Sequence, residues 1–195
     1  VKYWSLGNEL GYGHMEGPND AGTYAEKAVT CARAMRDIDP SIALVMAGQW
    51  QKEEWFTDGL ATLAPDIDHI AYHQYDPALS TYLGQEAKTE FARLVSIPSR
   101  TLEGIKSLRA KINQVTPEGK FIGISFDKWN VWYAWYRTPG VAEGIHAAGM
   151  LNTFSRISAD AGVSIGCFFE PINEGAIVVE PFSSRLTPAG QVFSL

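Results

Sequence analysis

The chain has 195 residues, 46% of them hydrophobic and 12% aromatic, a composition that makes a globular domain with a real core and excludes a disordered tail. Sixteen Lys and Arg against 22 Asp and Glu give a net charge of −6, which argues against a nucleic-acid footprint and suits neutral ligands. No apolar run reaches membrane-spanning length. The two cysteines, Cys31 in a helical pattern and Cys167 in a strand pattern, read as small buried hydrophobes in a reducing, cytoplasmic compartment rather than as a disulfide framework.

Val1 to Leu6 predicts a strand that runs into Gly7, Asn8 and Glu9 and then a Gly-rich loop to Gly17. Tyr24, Ala28, Cys31, Ala32 and Met35 recur at helical spacing, and this helix ends near Asp39 and Pro40. A second strand follows from Ile42 to Gly48, then a short helix around Trp55 to Leu63. His69 to Tyr72 predicts a third strand that hands His73, Gln74, Tyr75 and Asp76 to a loop. Two helical segments, Leu83 to Val95 and Leu102 to Val115, are expected on either side of Pro98. Lys120 to Phe126 is the fourth strand and Gly140 to Ala161 a long helix. Val163 to Phe169 is a fifth strand that ends in Glu170, Pro171, Asn173 and Glu174. Thr187 before Pro188 announces a last helix.

Strands alternate with helices, the pattern of parallel βαβ units in an α/β fold. Polar residues at four strand ends point to a (β/α)8 barrel, whose site lies at its C-terminal face. Only five of the eight strands are expected here, and the sequence starts inside a strand and stops inside a helix, so the chain reads as a piece of a longer protein. A complete doubly wound sheet is the alternative, but no G-x-G-x-x-G turn follows a strand to support a nucleotide site.

Chemistry concentrates in Lys120 to Tyr136, which reads KFIGISFDKWNVWYAWY. Asp127, Lys128 and Asn130 stand among Trp129, Trp132, Tyr133 and Trp135, a surface suited to a flat, hydroxylated ligand such as a sugar. The blander alternative is a strand end with core aromatics. A retaining glycosidase needs two carboxyls roughly 5 Å apart at the ends of different strands, and Glu9 is the natural acid/base candidate. His69 and His73 lie four apart, but on a strand and its exit that is not the one-face geometry of a helical metal pair, so polar or sugar contacts are expected and no metal. His14 and His146 read as isolated surface or loop residues. Cofactors are not indicated.

The segments KYWSLGNEL and ISFDKWNVWY, supported by DIDPSI and by His73-Gln74-Tyr75, closely resemble the α-L-arabinofuranosidases of glycoside hydrolase family 51. The resemblance covers essentially the whole chain. It implies a retaining enzyme whose barrel strands 4 to 8 are present, with strands 1 to 3 and an attached β-sandwich domain outside residues 1–195. It implies a reaction that releases terminal non-reducing α-L-arabinofuranosyl residues from arabinan- or arabinoxylan-type substrates. Oligomers are common in the family, so a homo-oligomer is expected of the full-length protein.

By the resemblance, Glu9 matches the acid/base and Asn8 a residue that hydrogen-bonds the sugar. Tyr75 matches a residue that contacts sugar and nucleophile, and Trp132 an aromatic on the leaving-group side. Glu170 falls where the family usually has a sugar-binding amide. The nucleophile is the departure: the family pattern is Asp-Glu-Trp-Asn, and this chain reads Asp127-Lys128-Trp129-Asn130.

An ammonium repels the oxocarbenium-like centre that a carboxylate would stabilise and bond. A cation near Glu9 would also favour its ionised form when an acid must hold its proton. Impaired hydrolysis with sugar binding retained is therefore expected. Asp127 should face the other side of its strand, and Glu170 and Glu174 are the remaining carboxylates. A Schiff-base role for Lys128 has no carbonyl substrate to support it.

Overall fold

The computed structural model describes residues 1–77, 87–132 and 139–195. Strand β1 (Tyr3–Ser5) leads through the Gly-rich loop to helix α1 (Ala21–Ile38). Strand β2 (Ala43–Met46) is followed by a π-helical turn (Trp55–Leu60) continuing into α2 (Ala61–Leu63). Strand β3 (His69–Pro77), helix α3 (Ala87–Val115), strand β4 (Gly123–Trp132), helix α4 (Val141–Ala161) and strand β5 (Val163–Phe168) complete the alternation. A hairpin of β6 (Ile177–Glu180) and β7 (Ser183–Leu186) then precedes the short helix α5 (Pro188–Phe193). Strands β1 to β5 form one sheet in sequence order. β1 runs parallel to β2 with Tyr3 opposite Ala43, and β2 parallel to β3 with Val45 opposite His69. No helix among the described residues is long and apolar enough to cross a membrane.

The chain forms two compact units. The first comprises Val1–Tyr72, Lys106–Ser125 and Ala161–Ile165. Here Asp20 caps α1, its side chain accepting from the Thr23 N–H at 2.8 Å, and the Asp39 N–H closes the helix on the Met35 carbonyl. The buried face of α1 is Ala21, Tyr24, Ala25, Ala28 and Ala32, and its four alanines let the helix approach closely. Tyr24 packs on Trp55 with centroids 5.3 Å apart, and its hydroxyl donates to the Leu6 carbonyl while accepting from the Ala47 N–H. Leu44, Met46, Leu60, Leu63, Ile67 and Ile70 are fully buried around them. Cys31, expected on this face, is exposed; Ala25 takes the inner position instead.

The second unit comprises His73–Ile105, Phe126–Asp160 and Gly166–Leu195. Its core is aromatic: Trp129, 1% exposed, stacks edge-on against Phe154 and Phe168 at 5.4 and 5.0 Å, and Phe126 lies 4.8 Å from Phe154. Trp129 thus belongs to the core and not to a ligand surface. Tyr133 and Trp135, and the side chain of Trp132, lie outside the described residues.

Helix α3 runs unbroken through Pro98, where the sequence predicts two segments. Proline removes one backbone donor, but α4 braces the site. The Thr153 hydroxyl donates to the Pro98 carbonyl at 3.3 Å, and a Cβ on Gly149 would lie 2.6 Å from the proline ring. Residues 83–86 of the expected first segment lie outside the described residues.

Strand β3 continues to Pro77, so His73, Gln74, Tyr75 and Asp76 sit on the strand rather than in a loop. Polar residues can extend it because they are paired: Gln74 Nε2 donates to Asp76 Oδ2 at 3.0 Å and to Thr101 Oγ1 at 2.9 Å. His146, expected at the surface, is 1% exposed, and its Nε2 lies 3.1 Å from Asp76 Oδ2. Cys167, expected to be buried on β5, is exposed. The hairpin of β6 and β7 has no counterpart in the predicted elements. Thr187 does cap α5, accepting from the Gly190 N–H at 3.1 Å.

Acidification should destabilise the fold. The Thr23 backbone N–H holds the Asp20 carboxyl below its ordinary value, and the Ser41 hydroxyl does the same for Asp39. Stability from both is present above the unfolded carboxylate value and is lost as pH falls through the lower folded one. Burial lowers the His69 imidazole, so it too opposes folding once the unfolded chain begins to bind the proton. Glu174, raised by burial and by the Glu170 charge, works in the opposite direction. A urea midpoint lower at pH 4 than at pH 7 is the expected result.

Candidate active site

In the first unit, the turn after β1 carries Asn8 and Glu9, both half-buried. Glu9 has left-handed backbone, φ 52°, a conformation unusual for a residue with a side chain. The loop then folds tightly over Trp55: a Cβ on Gly11, at φ 89°, would lie 2.3 Å from the indole. His14 Nε2 reaches Glu9 Oε2 at 3.0 Å, so His14, although in an exposed loop as expected, is not isolated. Tyr12 Oη donates to Gln51 Oε1 at 3.1 Å. Burial raises the Tyr12 phenol, against the Gln51 bond, and Tyr72 and Glu9 push the same way as burial.

In the second unit, β3, β4 and the end of β5 present a second group. Lys128, half-buried on β4, places Nζ 5.3 Å from the centroid of Phe169. Tyr75 on β3 meets the same ring edge-on at 6.0 Å. Phe169 therefore gathers two of the expected residues, and nothing in its sequence context marked it. The Phe169 N–H donates to the Trp129 carbonyl at 3.1 Å, the Phe169–Glu170 peptide is cis, and Glu170 follows directly.

Asp127, next to Lys128, places Oδ1 3.0 Å from His73 Nε2, an ion pair only when the imidazole is protonated. Desolvation of the sulfur, followed by the Asp127 charge, raises the thiol of Cys167 even though the residue is exposed, the opposite of an activated nucleophile. Among the described residues no group of His, Cys, Asp and Glu has the arrangement to hold a metal ion. The expected residues therefore divide: Asn8 and Glu9 belong to the first unit, and Tyr75, Lys128 and Glu170 to the second. Trp132 ends β4, its side chain outside the described residues.

No family model matches the chain. Over 142 residues, 68% of the chain, it is 31% identical to the intracellular exo-α-(1→5)-L-arabinofuranosidase of Streptomyces lividans, 20% of which is covered. Over 194 residues, 89% of the chain, it is 30% identical to α-L-arabinofuranosidase C of Emericella nidulans, 37% of which is covered. The arabinose complex of the Thermotoga maritima α-L-arabinofuranosidase matches the whole chain with a TM-score of 0.79 at 28% identity, over 39% of that enzyme. The chain is a homologue of the family 51 α-L-arabinofuranosidases. It spans about two fifths or less of these arabinofuranosidases, and its five-stranded sheet is part of their (β/α)8 barrel.

Proposed function

We propose that the chain is part of the catalytic barrel of an arabinofuranoside-directed retaining glycosidase in which Lys128 occupies the nucleophile position, so that sugar binding is retained and turnover is impaired. Lys128 is the observation that carries this reading: in a chain homologous to arabinofuranosidases it stands where the family resemblance asks for Glu. On this reading Glu9 is the acid/base and Asn8 a hydrogen-bonding partner of the sugar, while Tyr75, Trp132 and Glu170 contact the ligand. Tyr75 and Lys128 both meet the Phe169 ring, which supports a shared role in the second unit. The partner is an arabinose-containing oligo- or polysaccharide, with no cofactor, nucleic acid or membrane. The β-sandwich domain and a homo-oligomer belong to the full-length protein, and the intracellular relatives support a cytoplasmic setting.

A second reading, a sugar-binding pseudoenzyme, is favoured by the same lysine, because a cation opposite the leaving group opposes the charge that develops in the transition state. Calorimetry of the full-length protein with an arabino-oligosaccharide should give a binding isotherm with the ligand recovered intact. No binding would refute both readings, and rapid hydrolysis would refute the impaired nucleophile.

A further inference from the structure

We propose that His14 is a positioning residue for Glu9; this rests on the reading of Glu9 as the acid/base. The loop after β1 cannot fix the carboxylate by regular backbone, since Glu9 is left-handed and Gly7, Gly11, Gly13 and Gly17 also have positive φ. Side-chain contacts supply an anchor. His14 Nε2 lies 3.0 Å from Glu9 Oε2, the His14 ring is 5.9 Å from Tyr12, and Tyr12 Oη donates to Gln51 Oε1. Glu9 is thereby tied, through His14 and Tyr12, to the loop that follows β2.

Only a protonated Glu9 can protonate a leaving oxygen, and only when its carboxyl faces that oxygen. In the acid step Glu9 gives its proton to the departing oxygen as the glycosidic bond breaks, and in the second step it takes one from the attacking water, so Glu9 ends with the proton it began with. A partner on Oε2 restricts the rotamers of the carboxyl, and a catalytic group held in place loses less rate to misorientation.

The test uses the full-length protein. First, NMR at one fixed pH compares the His14 ring signals of the natural protein with those of Glu9→Gln; loss of the carboxylate partner should shift them, and unchanged signals overturn the contact. Second, kcat and KM are measured for an arabino-oligosaccharide and a 4-nitrophenyl arabinofuranoside in Lys128→Glu protein, alone and combined with His14→Ala or His14→Gln. His14→Ala should lower kcat for the oligosaccharide about tenfold or more with KM little changed, and lower it less for the 4-nitrophenyl substrate, whose leaving group needs little protonation; His14→Gln, which keeps a hydrogen-bonding group, should recover part of the loss. Equal losses on the two substrates, or none, overturn the proposal. If Lys128→Glu shows no hydrolysis at all, the arabinofuranosidase reading fails, while the His14 ring signals still decide the contact.

Discussion

Replacing Lys128 by Glu in the full-length protein is expected to raise hydrolysis of 4-nitrophenyl α-L-arabinofuranoside by about 10³-fold or more. The size follows from charge. A unit charge about 4 Å from a developing cation contributes about 4 kcal/mol at an effective dielectric near 20, so exchanging repulsion for attraction shifts the barrier by about 8 kcal/mol before any covalent bond is counted. Imperfect geometry, and a charge only partly developed, take back much of that, and each 1.4 kcal/mol is tenfold in rate. The side chain needs no new space, since Glu is shorter than Lys and β4 is already half-buried at this position. Equal rates in the two proteins would show that position 128 is not the nucleophile, and Glu170 and Glu174 become the carboxylates to remove.

Trp129→Ala should destabilise the protein by about 3–5 kcal/mol, the range for removing a large buried aromatic. Trp129 is 1% exposed and meets Phe154 and Phe168 edge-on, so truncation leaves a cavity between β4, α4 and the end of β5. A chemical-denaturation midpoint read beside sugar affinity checks this. The midpoint should fall well below that of the natural protein, with Trp129→Phe between the two. A variant with unchanged stability and weakened sugar binding would return Trp129 to the ligand surface that its sequence neighbours suggested.

Those neighbours explain what the sequence could and could not reveal. Alternating strands and helices were legible because burial leaves periodic apolar residues, as on α1, and because Asp20 and Thr187 are caps whose chemistry is local. The polar run His73 to Asp76 looked like a loop because its hydrogen-bond partners, Thr101 and His146, lie 27 and 70 residues away from Gln74 and Asp76. Pro98 looked like a break because the brace from Thr153 and Gly149 comes from a distant helix. His146 and Trp129 failed in opposite directions for one reason: residue type alone does not say whether a polar group has found a buried partner or an aromatic has found a core. Glu9 was visible as a carboxylate just after a strand. His14 was not visible as its partner, since five residues of Gly-rich loop can fold in many ways, although the run GYGH so near Glu9 signals a loop able to turn back. Phe169 carried no mark at all. Its role as the ring shared by Tyr75 and Lys128 exists only in three dimensions.

If position 128 is the nucleophile position of this fold, incubating the full-length Lys128→Glu protein and its Lys128 parent with a 2-fluoro-arabinofuranosyl trapping reagent, then mapping labelled peptides by mass spectrometry, gives a glycosyl adduct on Glu at position 128 and an unlabelled Lys128 parent. A parent labelled on Glu170 or Glu174, or a Lys128→Glu protein labelled anywhere but position 128, would contradict that assignment.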